Sequence, residues 1–219
     1  MKTIKNEYRL SFKYFKENLL KKFLIVGVSF ILFSIFFTVV LKTKTTVSIP
    51  GFQGNGKSTL AETIISEFKR MLDAKGINQP GKKEWLVLFF NNFEACFVSF
   101  VYGLLPFLFL PILSLFSNTL IIGAVLSIQI SSGTNALKIL TLGILPHGIF
   151  ELTAVFLSLT MGVHLCLNVS RMVLHKEPHE SIKRIFSESV RMFVLFILPL
   201  LLIAAQIESY ITPKLMTFV

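Results

Sequence analysis

Cysteine is too scarce in this sequence to build a disulfide framework. Only Cys96 and Cys166 occur, both inside apolar stretches, and no polar loop carries one. Charge is scarce as well. Asp, Glu, Lys and Arg make up 16% of the 219 residues against 53% hydrophobic residues, and the mean hydropathy is +0.70. A soluble domain with so little polar side chain could not cover its own surface, so lipid must be the solvent for much of the chain. Acidic residues are rarer than basic ones, 12 against 22, for a formal charge of +10. The basic residues sit between apolar runs, which suits anionic lipid headgroups, and no nucleic-acid-binding motif accompanies them. Internal repeats and low-complexity tracts are also absent, so a repeat array is excluded.

What the chain has in abundance is long apolar runs. Residues 1–22 form a basic segment with seven Lys or Arg against Glu7 and Glu17. Residues 23–41, FLIVGVSFILFSIFFTVVL, are uncharged and long enough to cross a hydrocarbon core of about 30 Å at 1.5 Å per residue. The run is too long for a signal peptide and lacks a small-residue cleavage site, so it reads as an uncleaved anchor. A polar segment, 42–84, follows. Within it Leu60, Ile64, Phe68 and Met71 or Leu72 recur at helical spacing opposite Glu62, Glu67, Lys69, Arg70 and Asp73, predicting an amphipathic helix on the membrane surface. Trp85 marks the water–lipid boundary. About four further spans fill 85–213, near 85–104, 106–130, 138–171 and 190–208, before a short tail at 214–219. Pro146 and Gly148 are expected to break the third of these into a lead-in and a helix over 148–170, and Pro199 to kink the last. The fold class predicted is an all-α polytopic membrane bundle of about five spans with broken or kinked helices and a surface helix. The basic residues are denser close to the spans at 1–22 and 171–191, which places the amino terminus in the cytoplasm and the carboxyl terminus outside.

One motif argues for different chemistry. GFQGNGKST, residues 51–59, contains the phosphate-binding pattern G-x-x-x-x-G-K-S, which cradles phosphates only between a buried strand and a helix of an α/β domain. Here about forty residues lie between two spans, TTVSIP is a poor buried strand, and everything downstream is membrane. Turn chemistry accounts for the glycines, with Ser58 as N-cap of the surface helix. No nucleotide and no cofactor is expected.

Polar residues inside the spans are more informative, because an ionisable group in hydrocarbon needs a partner or a role. His147 and Glu151 are four apart and share a face if the helix already includes His147; otherwise His147 caps the broken start. Ala154 or Val155, Ser158 and Gly162 continue that face with small residues. Asn91, Ala95 and Ser99 make a second small polar face, with Glu94 adjacent, and Asn118 and Gly123 mark a third. Three readings stay open: a structural hydrogen-bonding cluster, a transport or proton-relay site using Glu94, His147 and Glu151, or a metal site of an intramembrane hydrolase. For the last, HExxH is absent and His164 lies too far along the chain to be an obvious third ligand, so no metal ligand set and no catalytic residue is assigned. His175 and His179, in a polar loop, read as solvated.

LPHGIFEL (145–152), following a span with Asn118 and Gly123, together with ESYITP (208–213) and Asn91–Asn92, resembles the stage II sporulation protein M family of bacterial membrane proteins. The resemblance covers 85–213. It implies a multi-helix protein of the bacterial cytoplasmic membrane without established catalytic chemistry. It also implies a scaffold that gathers peptidoglycan-degrading partners in engulfment, or a protein of bacteriocin immunity. Asn91, Asn118, Pro146, His147, Gly148, Glu151 and the terminal Glu208 are carried over as motif positions only. The expected partners are the bilayer and other membrane or cell-envelope proteins, such as peptidoglycan hydrolases, a transporter, or further copies of this chain. The contrasting class is a transporter or channel subunit. The Walker-like motif generates a direct check: equilibrium dialysis with ATP should show no saturable binding and no difference for Lys57→Ala. Saturable binding lost in that variant would reinstate the nucleotide reading.

Overall fold

The computed structural model describes residues 2–42, 59–74, 84–107, 110–133 and 135–218. Among these every regular element is helical, and five helices are long and apolar enough to cross a membrane. The chain begins with α1 (Lys2–Tyr14), which passes through a π-helical turn (Phe15–Leu19) directly into α2 (Leu20–Lys42). The basic segment is therefore a helical extension of the first span. Its cationic side chains Lys5, Arg9, Lys13, Lys16 and Lys21 all point outward.

The surface helix exists as α3 (Leu60–Ala74). It starts with a capping box: Thr59 N–H donates to Glu62 Oε2 at 2.7 Å, and Glu62 N–H donates to Thr59 Oγ1 at 3.3 Å. The cap is thus Thr59, one residue beyond the Ser58 expected, because only Thr59 has a Glu three residues on. Ser58 and the rest of the glycine motif fall outside the described residues, as do the side chains of Phe68, Met71 and Leu72. Leu60, Ile64 and Ile65 pack with Ala61 onto Leu41 of α2 and onto Leu120, Ala124 and Ile128 of α5 (Leu110–Ser131). The apolar stripe of α3 is therefore covered at least partly by protein.

The second span is α4 (Glu84–Val101), extended by a 3₁₀ turn over Tyr102–Leu104. Pro106 ends it, and Phe107 takes a positive φ of 65° in the turn toward α5. Beyond α5 come the short α6 (Ala136–Lys138), a π-helical turn (Ile139–Ile144) and α7 (Leu145–Val173). The helix does not break at Pro146, contrary to the sequence expectation. Pro146 lies in the first turn of α7 directly after the π turn, where a widened ladder absorbs the missing N–H. The same device recurs in the last span. There α8 (Ile182–Met192) passes through a π turn (Phe193–Ile197) into α9 (Leu198–Tyr210), with Pro199 in its first turn. The final helix, α10 (Thr212–Met216), follows at once.

Helix α7 is the core of the molecule. In its most apolar window 67% of residues are buried, against 17–33% for the other four spans. Phe30 and Phe23 of α2 meet Phe156 edge-on, with centroids 5.0 and 6.1 Å apart. Phe193 meets Phe93, Phe97 and Phe100 of α4 in the same way. In lipid there is no water to drive helices together, so close van der Waals packing has to hold them. Small residues permit that approach. A Cβ on Gly103 would overlap the carbonyl of Gly162, and one on Gly162 would sit 2.5 Å from the carbonyl oxygen of Ser99. The α2–α5 pair uses Gly123, where a Cβ would fall 2.5 Å from that of Phe37.

These contacts predict a contrast. Gly162→Ala must push α4 off α7 and is expected to lower the stability of the detergent-solubilised protein by about 1–3 kcal/mol, as overpacking does. Gly27→Ala meets only the Phe156 ring at 3.7 Å and should be neutral or stabilising by up to about 1 kcal/mol through helix propensity. Thermal unfolding in micelles reads both. Equal effects would refute the close crossing.

Candidate functional site

Helix α7 includes His147 from its first turn, so His147 and Glu151, four residues apart, share a face. The last span runs antiparallel to α7 and brings the end of α9 alongside that turn. His147, Glu151 and Glu208 each place one ligating atom within 4.8 Å of the others. The histidine ring has a further partner, with Nδ1 3.2 Å from Thr212 Oγ1 at the start of α10. The side chain of Asn92 on α4 lies beside Glu151. Four separate pieces of chain thus converge: the starts of α7 and α10, the end of α9 and the middle of α4. Among the described residues no Lys or Arg forms an ion pair with Glu151 or Glu208. Two carboxylates this close, within 4.8 Å, would repel by roughly 3.5 kcal/mol or more at an effective dielectric near 20 if both were ionised, a repulsion that protonation of either group or a bound cation removes.

Not every residue singled out in the sequence belongs there. The positions of α4 that meet α7 are Asn92, Cys96, Ser99 and Gly103; of the Asn91–Ala95–Ser99 face expected, Ser99 is among them, while Asn92 and Cys96 stand where Asn91 and Ala95 were expected. Ser158 Oγ donates to the Cys96 carbonyl, and Ser99 Oγ contacts both the Ala95 carbonyl and Ser114 Oγ, at 2.7 and 2.9 Å. Asn91 is half-buried, and Glu94 is exposed on the opposite side of α4, away from His147 and Glu151. Asn118 donates to its own helix, at the Ser114 carbonyl. Gly148 is buried, but a Cβ there would meet only Ile144 and Leu152 at ordinary distances, so nothing in the packing requires glycine.

A second polar cluster, at the other end of α7, was not read from the sequence. Glu180, in the connection between α7 and α8, is 7% exposed at its side chain. Its Oε2 accepts from Tyr14 Oη at 2.9 Å and lies 2.9 Å from His164 Nε2. Its Oε1 faces Arg184 Nε at 3.1 Å, an ion pair off the hydrogen-bonding direction. Asn168 ties the connection to the helix, accepting from Glu180 N–H and donating to the His164 carbonyl. Arg191 adds a bridge from α8 to α1, with Glu188 at 2.9 Å and Glu7 at 2.8 Å. His164 and Asn168, one turn apart near the end of a span, were the available signal; their partner is a carboxylate in a stretch that reads as solvated loop. His175 and His179 are exposed, as expected of that loop. The turn between α4 and α5 closes on this end too, with Phe107 N–H donating to Ser170 Oγ at 3.0 Å and Cys166 Sγ 3.4 Å from the Leu105 carbonyl.

Along α7 the two clusters are well separated. Glu151 and His164 are thirteen positions apart, about 20 Å of helix. In between, the polar groups of α7 are hydroxyls such as Ser158 and Thr160, both fully buried.

Comparison with known proteins gives two matches. The model of the family described as "Stage II sporulation protein M" matches residues 24–213. That span reaches further back than the motif-based resemblance over 85–213 and takes in the first span and the polar segment. An uncharacterised protein of Methanocaldococcus jannaschii is 33% identical over 132 residues, covering 58% of this chain and 70% of its own length. No solved structure matches.

The second cluster is directly testable. Glu180→Ala removes the buried acceptor shared by Tyr14 and the His164 ring and is expected to cost about 2–4 kcal/mol, as stranding buried polar groups does; the Arg184 contact adds little, because that side chain is 61% exposed. Tyr14→Phe removes one hydrogen bond and should cost about 1 kcal/mol. Unfolding of both variants in micelles decides the matter, and a Glu180→Ala protein no less stable than Tyr14→Phe would contradict the network.

Proposed function

The chain belongs to the stage II sporulation protein M family, and on that premise we propose that it is a non-enzymatic membrane scaffold. It would assemble cell-envelope proteins, as in engulfment with peptidoglycan hydrolases, or shield a producer cell in bacteriocin immunity. One observation carries the reading: the ionisable groups of the central helix lie in two clusters about 20 Å apart, with buried hydroxyls and packed rings between them. Such a helix is a fixed spine. A relay across the membrane would need titratable or hydrated groups along its middle.

The peripheral spans suit docking. Helix α2 exposes Leu24, Val28, Ile31, Ile35 and Val39 along one apolar side, available to lipid or to the spans of a partner. The relative in Methanocaldococcus jannaschii favours a role broader than one bacterial developmental programme. The orientation fits the same picture. The end that carries α1 and the α7–α8 connection exposes Lys5, Arg9, Lys13, Lys16, Lys176 and Lys183, which argues for that end in the cytoplasm.

The scaffold reading predicts that ion and solute flux in reconstituted vesicles stays at the empty-liposome level for wild type and Glu151→Gln alike, while cross-linking in the native membrane captures a defined envelope protein. Flux in wild type that Glu151→Gln abolishes would replace it with a transport function using His147 and Glu151.

A further inference from the structure

We propose that His147, Glu151 and Glu208 form a binding site for one divalent transition-metal cation of the zinc class, joining the start of α7 to the end of α9. The site does not depend on the scaffold reading; a fixed spine could carry it whatever docks outside.

Three features of the geometry point to a metal. First, the donor set is right in kind and number: one imidazole nitrogen and two carboxylate oxygens, all within 4.8 Å of one another. Metal–ligand bonds of about 2.0–2.1 Å in a tetrahedral site place donors about 3.3 Å apart. A contraction of at most about 1.5 Å, within the reach of side-chain rotation, would then close the site. Second, the ring is oriented from outside the site. Thr212 Oγ1 lies 3.2 Å from Nδ1, so coordination through Nε2 is the arrangement in which that contact survives, and Asn92 lies beside Glu151. Hydrogen bonds of this kind on the far side of a ligand fix its direction and tautomer. Third, the two carboxylates lack a cationic partner. Two carboxylates share the site, and among the described residues neither has a Lys or Arg partner; a dication neutralises both at once.

Hard cations fit less well. Calcium takes six to eight oxygens, more than this cluster supplies, and an imidazole donor suits zinc and its neighbours. With three protein ligands a fourth coordination position stays open to a water or a partner's side chain. Because the three ligands come from the start of α7 and the end of α9, the role assigned is structural: a pin holding two antiparallel spans in register where α9 turns into α10.

The test is zinc itself. Full-length protein purified in detergent, stripped with a chelator and dialysed against zinc, should retain about one equivalent per chain by elemental analysis. Zinc should also raise its thermal midpoint, since binding to the folded state alone stabilises it. His147→Ala and Glu208→Gln should each lose the retained zinc and the zinc-dependent rise. Because a substitution may itself disturb folding, Thr212→Val is the companion variant: it leaves all three ligands and should retain zinc about 10–100-fold more weakly, as losses of such outer hydrogen bonds do. Wild type that retains no zinc and gains no thermal stability from it overturns the site, as does retention unchanged in His147→Ala and Glu208→Gln.

Discussion

The structure depends on one helix being buried on nearly every side in a medium that offers it no hydrophobic reward. Because lipid is as apolar as the side chains it would replace, α7 stays in the centre only if its neighbours come closer than lipid can. Gly103, Gly162 and Ser158 supply that closeness along the α4 side, where backbone meets backbone. Phe23, Phe30 and Phe156 fill the wider gap on the α2 side. The polar groups then act at the two ends. Around His164 and around His147 they cross-link α7 to α1, α4 and α9 through hydrogen bonds made between largely buried groups.

Much of this architecture was legible from composition and periodicity. Five apolar runs, a surface helix and prolines that disturb two spans are local properties, and the physics that sets them is local. What was illegible depended on angles and on partners. On α4 the expected Ser99 does meet α7, but Asn92 and Cys96 join it in place of Asn91 and Ala95, a step of about 100° round the helix that spacing alone does not resolve. A proline was read as a break because its missing N–H is visible in sequence, whereas the π turn that absorbs it has no residue signature. The N-cap was placed at Ser58 because the reciprocal Glu62 was not weighed.

The candidate site shows the same division more sharply. His147 and Glu151 could be paired from spacing alone once α7 was known to include both. Glu208 was noted as the residue ending the last span, yet nothing in the sequence says that this end lies beside the start of α7 and not another helix. That placement comes from α7 and α9 being antiparallel neighbours. Glu180 was harder still. It sits among Glu177, His179 and Lys183 in a stretch that reads as solvated, and its burial is set by Tyr14, 166 positions away. Long-range partners of this kind leave only a half-signal: an unexplained polar residue near a span's end, such as His164 or Asn168.

The family motif acquires a mechanical sense from this placement. Pro146 starts α7 cleanly after a widened turn, so His147 and Glu151 enter the helix at a fixed rotation. Four-residue spacing then stacks imidazole over carboxylate on the side where α9 delivers Glu208 and α10 delivers Thr212. The same side carries Asn92 from α4. A motif read as Pro-His-Gly and Glu in one helix is therefore half of a joint whose other half is the Glu and Thr of ESYITP, about 60 residues later. The two short patterns make sense together because they are one contact. Their separation along the chain fits α9 returning beside α7; for the glycine at 148 the packing of the described residues gives no such reason.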